Sequence, residues 1–168
     1  NGGAWCPVLP IWLHVVTVGL FGKSIEVARG TAAAVTLLGA AAIGITMQTV
    51  FSSRLWWTAP LFLATTPVFF HHSRTTFETV FMVSFFACFL LFYLLYRTRS
   101  PWFLYPAILF GAIAFYSYSV AQVVMAAVSG LLLLIDLPYH VRRWRFFLPG
   151  PLLLPPVASP LIPFRHTA

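Results

Sequence analysis

Arg74 and Glu78 are the residues of this chain whose types and spacing best suggest chemistry. They lie four residues apart at the start of a long apolar run, so on a helix both side chains share one face and can meet. This order does not favour the helix, because a cation in the first turn opposes the helix dipole. Helix stability therefore does not account for Arg74. Its guanidinium could hold an external anion such as a phosphate through two hydrogen bonds, or it could form a purely structural ion pair with Glu78.

Two further pairs of polar residues could line a substrate site. His71 and His72 are neighbours, and on a helix their side chains point about 100° apart, so they do not easily bind one metal ion together. They are expected either to be interfacial histidines or to hydrogen-bond to a polar substrate. Tyr116 and Tyr118 carry phenol groups suited to a sugar or a lipid headgroup, but an aromatic belt at the membrane surface uses the same residue type. No metal site is predicted.

The composition indicates that these residues belong to a membrane protein. Hydrophobic residues make up 60% of the chain and charged residues 8%, whereas a soluble domain carries about 25% charged residues. The apolar excess must therefore face lipid. The net charge of +7 does not indicate nucleic-acid binding, because the basic residues are spread between apolar runs, as loop charges that set membrane topology are.

The apolar runs predict an all-α membrane protein with a bundle of about five to seven transmembrane helices in one domain, residues 1–168. Ser24 is predicted to cap the first core helix, and its small residues from Ala32 to Gly44 should allow close packing. The core helices occupy residues 25–135, with predicted spans at 25–51, 56–70, 77–96, 102–115 and 120–135.

Three segments outside these spans complete the prediction. Residues 7–22 are expected to form an interfacial or re-entrant segment, because they are apolar but short and contain prolines. Residues 136–145 are expected to form a hydrophilic loop, with Asp136 as a solvated charge. Residues 146–164 form a proline-rich membrane segment.

The basic residues predict the orientation of the bundle. If the spans alternate in direction, one side of the membrane holds six arginines and should be cytoplasmic. These are Arg54, Arg97, Arg99, Arg142, Arg143 and Arg145. Arg74, Glu78 and the turn at residues 116–119 would then face the cell exterior or the periplasm.

Three stretches of sequence carry a family resemblance through their order and sidedness. The first is the proline-bearing segment 7–12 followed by FGKS at 21–24 and AR at 28–29. The second is residues 67–78, which hold a proline, the arginine Arg74 and the acid Glu78. The third begins at Gly111 and includes Tyr116 and Tyr118, with Phe115 or a neighbour where a second glycine is usual. Together they resemble the GT-C superfamily of membrane glycosyltransferases, in the branch with protein O-mannosyltransferases and lipid A aminoarabinose transferases.

This resemblance implies transfer of a sugar from a polyprenyl-phosphate carrier to a glycan, lipid or protein acceptor outside the cytoplasm. Arg74 would bind the carrier phosphate, and a divalent metal ion is compatible with the family. The catalytic acids of the family follow its first transmembrane helix, so they are expected upstream of Asn1. The 168 residues alone are therefore expected to be an inactive fragment of a multi-pass protein of the bacterial inner membrane.

Two other functions remain compatible with the sequence. A transporter or lipid flippase subunit would use a similar polar-lined cavity without chemistry, although no internal symmetry is visible. A structural or assembly subunit would leave Arg74 and Glu78 as a simple ion pair.

Overall fold

The computed structural model describes residues 8–67 and 78–142, and the regular structure in these two ranges is helical throughout. The all-α prediction is therefore confirmed. A short 3₁₀ turn, Pro101–Phe103, leads into the fifth of the seven α-helices that these two ranges contain. The helices are α1 Val8–Phe21, α2 Ile25–Thr49, α3 Thr58–Thr65, α4 Glu78–Thr98, α5 Leu104–Ser117, α6 Ser119–Ile135 and α7 Leu137–Arg142.

Within the described ranges, α2 and α4 are long and apolar enough to cross a membrane. At about 1.5 Å per residue, each reaches the thickness of about 30 Å that a hydrocarbon core requires. Shorter apolar helices cover Pro10–Phe21, Pro101–Ser117 and Ser119–Ile135. A bundle of five to seven spans thus remains a prediction, as does the single domain of residues 1–168, and the segment 146–164 lies outside the described residues.

Helices α2 and α4 run parallel and touch at their small residues. Gly39 lies so close to α4 that a Cβ atom added to it would be 2.7 Å from the Cα atom of Ser84. One turn further along α2, Ala42 packs in a buried cluster with Ala87, Cys88 and Leu91. Both contacts advance along the two helices in the same direction. The predicted close packing of the first core helix is confirmed, and Cys88 is buried at this contact.

The start of α2 is also as predicted. The Ser24 side chain accepts a hydrogen bond of 3.1 Å from the backbone N–H of Val27, and Glu26 lies in the first turn. A side-chain cap satisfies one backbone donor that the first turn of a helix otherwise leaves unpaired. The cap thus fixes where α2 begins.

Exchanging Gly39 for alanine should destabilise the bundle, because the new methyl group meets the α4 backbone rather than a flexible side chain. We expect a loss of about 1–3 kcal/mol in the free energy of unfolding. Gly30 is the matched control on the same helix, since nothing lies within 4 Å of its added Cβ atom. Gly30→Ala should be neutral or slightly stabilising. Unfolding both variants in detergent measures the difference, and equal stabilities would contradict the close contact.

Helix α5 returns antiparallel to α4. The Phe92 ring stacks on Phe103 at 6.2 Å and on Phe110 at 5.4 Å, measured between ring centroids. Gly111 then faces Phe89, whose ring would lie 3.1 Å from an added Cβ atom. Later residues of α5 therefore meet earlier residues of α4. Helix α6 follows after a tight turn and runs parallel to α4, since its last turn lies beside Arg97.

This topology gives the bundle two distinct ends. The Glu78 end holds the starts of α2 and α4 and the turn between α5 and α6. The Arg97 end holds the last turns of α2, α4 and α6 together with α7. The relative directions agree with the alternation from which the membrane orientation was predicted.

The helix predicted at residues 56–70 is much shorter than expected in the part that the structure describes. Helix α3 has eight residues and ends at Thr65, and the next residue, Thr66, has an extended backbone with ψ of 115°. Proline disfavours the helical conformation in the residue before it, and Pro67 follows Thr66 directly. Residues 68–70 of that prediction lie outside the described ranges.

The predicted hydrophilic loop after residue 135 is wrong over its first part, because residues 137–142 form α7. The backbone carbonyl of Asp136 accepts hydrogen bonds from the N–H groups of Tyr139 and His140, at 2.9 and 3.0 Å. Pro138 lies in the first turn, where its missing N–H removes no helical hydrogen bond. Asp136 is buried at 4% exposure, so its prediction as a solvated charge is also wrong.

Candidate functional site

The Glu78 end contains three of the six predicted site residues. Glu78 is the first residue of α4, and Tyr116 lies in the last turn of α5. Tyr118 is the extended residue that joins α5 to α6. Because α5 is antiparallel to α4, its last turn lies towards the start of α4. All three side chains are partly exposed, so a ligand at this end could reach them.

His71, His72 and Arg74, the other three predicted site residues, lie outside the described residues. Arg74 is four residues from Glu78 along the chain. Its predicted role at this end therefore rests on the sequence.

Sequence reasoning did not assign His14 to the site, yet the structure places it at the Glu78 end. Its ring contacts Phe81 edge-to-face, with 5.7 Å between centroids and an interplanar angle of 79°. Phe81 lies one turn from the start of α4. Leu13, the preceding residue, packs against the main hydrophobic core. Leu13 and His14 thus hold the middle of α1 against the bundle near the predicted site.

A second polar cluster, also missed, joins α4 to α7 at the Arg97 end. Asp136 receives a hydrogen bond of 2.5 Å from the Tyr93 hydroxyl and forms an ion pair with Arg97. His140 lies between the hydroxyl groups of Tyr93 and Tyr96, with its Nε2 and Nδ1 atoms at 3.4 and 3.0 Å. Its exposure is 5%. We call these five residues, together with Tyr139, the Arg97 network.

The hydrogen bonds that link Asp136, Tyr93, His140 and Tyr96 agree with one assignment of donors and acceptors. The Tyr93 hydroxyl donates its hydrogen to Asp136, so its oxygen can only accept from His140. We therefore assign the ring proton of His140 to Nε2, which leaves Nδ1 to accept from the Tyr96 hydroxyl. Tyr139 donates to the backbone carbonyl of Tyr96 at 3.0 Å and lies under the Arg97 guanidinium. A network with defined directions holds α7 in one position against α4.

Asp136 is ionised in this network at neutral pH. Burial alone would raise the pKa of its carboxyl group, but the hydrogen bonds from Tyr93 and Arg97 and the charge of Arg97 outweigh burial and lower that pKa. The negative charge is thus fully compensated at the Arg97 end.

The burial of His140 should make the stability of the bundle depend on pH. Burial lowers the pKa of His140; the charge of Asp136 opposes this shift and that of Arg97 adds to it. Since the folded-state pKa lies below the unfolded value of about 6.5, the unfolded chain takes up the proton first. The contribution of His140 is therefore complete above about pH 6.5 and declines as the pH falls below it. Unfolding measured at pH 7.5 and 5.5 should show this decline in the wild type.

The matched variant for this measurement is His140→Phe, which keeps the ring but cannot be protonated. It should be less stable than the wild type at pH 7.5, and the gap should narrow at pH 5.5. A gap of the same size at both pH values would show that His140 is not buried in its neutral form.

A signal for the Arg97 network was present in the sequence. Tyr93 and Arg97 lie four residues apart, as do Asp136 and His140, so each pair occupies one face of its segment. Each pair also follows a long apolar run. Two such polar faces at the ends of parallel helices should meet, which the expectation of a hydrophilic loop at residues 136–145 does not anticipate.

The fold and its two polar ends describe a helical membrane protein with partly exposed polar side chains at the Glu78 end and the Arg97 network at the other. Residues 6–164 match the family described as dolichyl-phosphate-mannose-protein mannosyltransferase. Because this match covers nearly the whole chain, the chain belongs to that family, and the predicted GT-C resemblance is confirmed. It is a membrane glycosyltransferase of the GT-C type. Searches of curated proteins and of solved structures gave no match.

Proposed function

We propose that this chain forms the donor-binding part of a glycosyltransferase that takes a sugar from a polyprenyl-phosphate carrier. The acceptor is a glycan, lipid or protein on the extracytoplasmic side, and the protein is a multi-pass protein of a bacterial inner membrane. The family membership supports a lipid-linked sugar as the donor and a membrane setting. The Glu78 end is the proposed place where the headgroup of the donor binds.

The distribution of acids between the two ends is the observation that carries this proposal. Asp136 is neutralised by Arg97 at one end of the bundle. Glu26 and Glu78 lie in the first turns of α2 and α4 at the other end, where Tyr116 and Tyr118 also lie. Carboxylates and phenols can hydrogen-bond to sugar hydroxyl groups, and Arg74 adds the cation that a phosphate requires. The arginine-rich Arg97 end is the expected cytoplasmic side.

In the proposed reaction, a hydroxyl oxygen of the acceptor forms a bond to the anomeric carbon of the sugar. The bond from that carbon to the phosphate oxygen breaks, and the polyprenyl phosphate leaves with the electron pair. The proton of the acceptor hydroxyl passes to a carboxylate base. The guanidinium of Arg74 stabilises the charge that develops on the departing phosphate. Among the residues that the structure describes, no group of three metal ligands lies together, and no step is assigned to a metal ion.

Reconstitution of the intact protein with a labelled polyprenyl-phosphate sugar tests the proposal. We expect release of free polyprenyl phosphate together with labelled acceptor. Movement of intact labelled donor across the membrane, without cleavage, would instead establish the transporter alternative. A protein that neither cleaves the donor nor moves it across the membrane would overturn the proposed function.

A further inference from the structure

Two buried polar side-chain atoms have no hydrogen-bond partner in the described part of the chain, Nδ1 of His14 and Oγ of Ser84. Other buried serine and threonine hydroxyl groups in the described helices bond to the backbone one turn earlier. Thr31, for example, donates to the carbonyl of Val27 at 2.8 Å, and Ser117 to that of Ile113 at 2.7 Å. Buried polar groups without partners are rare in folded proteins, so each of the two needs a physical explanation.

The two unpartnered atoms differ in how a ligand could reach them. Ser84 is fully buried against Gly39, where the helices α2 and α4 touch. No ligand fits between those backbones. The His14 side chain, by contrast, is partly exposed at the Glu78 end, and only its Nδ1 atom is enclosed.

The enclosed nitrogen sets the direction of the His14 hydrogen bond. A buried N–H group without an acceptor is less tolerable than a buried acceptor without a donor, so we assign the ring proton to Nε2. The packing of the ring edge-to-face against Phe81 holds this orientation. The Nε2–H group of His14 is then the donor on the part of the ring that is not enclosed, beside Phe81 and one turn from the start of α4.

We propose that His14 is a substrate-binding residue, whose Nε2–H donates a hydrogen bond to an oxygen of the donor headgroup. That oxygen belongs either to the phosphate or to a sugar hydroxyl, since both are acceptors of the same kind. This inference rests on the proposed function. It explains why a histidine with an enclosed, unpaired nitrogen occupies a position where an apolar aromatic residue would pack equally well.

Donor kinetics of His14→Phe in the intact, reconstituted protein test this proposal. Phenylalanine keeps the aromatic contact with Phe81 and removes both nitrogens, so stability should be unchanged or raised. The KM for the lipid-linked sugar should rise about 10-fold or more, as expected for the loss of one hydrogen bond to a charged or polar ligand group. The conservative variant His14→Gln, which retains an N–H donor, should recover part of this loss.

Thr17→Val is the matched control on the same helix, because the Thr17 hydroxyl is already bonded to the carbonyls of Leu13 and His14 at 3.1 Å. It should leave the donor KM unchanged. Inhibition by polyprenyl phosphate without a sugar separates the two acceptor oxygens. If polyprenyl phosphate inhibits His14→Phe less than it inhibits the wild type, His14 bonds to the phosphate. If it inhibits both equally, His14 bonds to the sugar.

A wild-type protein that transfers sugar while His14→Phe keeps the wild-type KM would overturn the role of His14 alone. The same holds if His14→Phe loses stability without a change in KM, which would make the ring purely structural. A wild type without any transfer would overturn the proposed function itself, so the two failures are distinguishable.

Discussion

Replacing Arg97 with methionine should lower the free energy of unfolding of the bundle by about 3 kcal/mol, the largest stability effect expected in this chain. Methionine keeps most of the apolar stem but leaves the Asp136 carboxylate, exposed by only 4%, without its counter-ion. Removing one partner of a buried ion pair costs about 3–5 kcal/mol. The lower value applies because the Arg97 side chain is 41% exposed, and water can partly replace it. Denaturant unfolding in detergent measures the change.

Replacing Asp136 should cost less stability than replacing Arg97. Asp136→Asn removes the charge but keeps an oxygen that can accept from Tyr93, while the exposed guanidinium of Arg97 can turn to water. We therefore expect a loss of only about 1–2 kcal/mol for this variant. The double variant Arg97→Met with Asp136→Leu should be more stable than Arg97→Met alone, because no charge is left buried. If Asp136→Asn proved as damaging as Arg97→Met, the burial of Asp136 would not be the cause.

Replacing Arg74 with alanine should reduce kcat/KM for sugar transfer by about 100-fold, the largest effect on activity. Hydrogen bonds to charged groups contribute about 1.5–3 kcal/mol each, and a bidentate guanidinium supplies two to one phosphate. Arg74→Lys should retain part of the activity, because it keeps the charge but not the planar pair of donors. Initial rates at varied donor concentration give the ratio.

The control for Arg74 is an arginine at the opposite end of the bundle. Arg99 follows the last residue of α4 and belongs to the expected cytoplasmic set. Arg99→Ala should leave kcat/KM close to the wild-type value. Equal losses in the two variants would show that total positive charge, rather than a phosphate contact at the Glu78 end, supports the activity.

The helical class and the core packing could be predicted because they depend on local patterns. Ser24 predicts the start of α2 because its side chain caps the helix. The alanines and glycines of α2 predict a close contact between helices, which Gly39 makes. The family resemblance could also be predicted, because motifs in a fixed order are a property of the sequence. Span number was harder, because helices of 14 to 17 residues lie near the limit for crossing a membrane.

The Arg97 network could not be derived in the same way. Its members come from segments more than 35 residues apart, and the pairing depends on α4 and α6 ending at the same level. Asp136 was expected to be solvated because it follows an apolar run and precedes Arg142 and Arg143 in the sequence. Asp136 is buried because the α7 segment places the side chains of Asp136 and His140 against the tyrosines of α4. The position of His14 could not be predicted for a related reason, because the sequence of one apolar segment does not show which end of the bundle the segment contacts.

Photocrosslinking with a polyprenyl-phosphate sugar that carries its reactive group beside the phosphate would test the central claim most directly. The intact protein would be labelled in membranes, digested and mapped by mass spectrometry. We predict crosslinks to peptides near Glu78 and the turn around Tyr118, competed by unlabelled donor. Competed crosslinks confined to the Arg97 end, near Arg99 and α7, would contradict the assignment of the donor site.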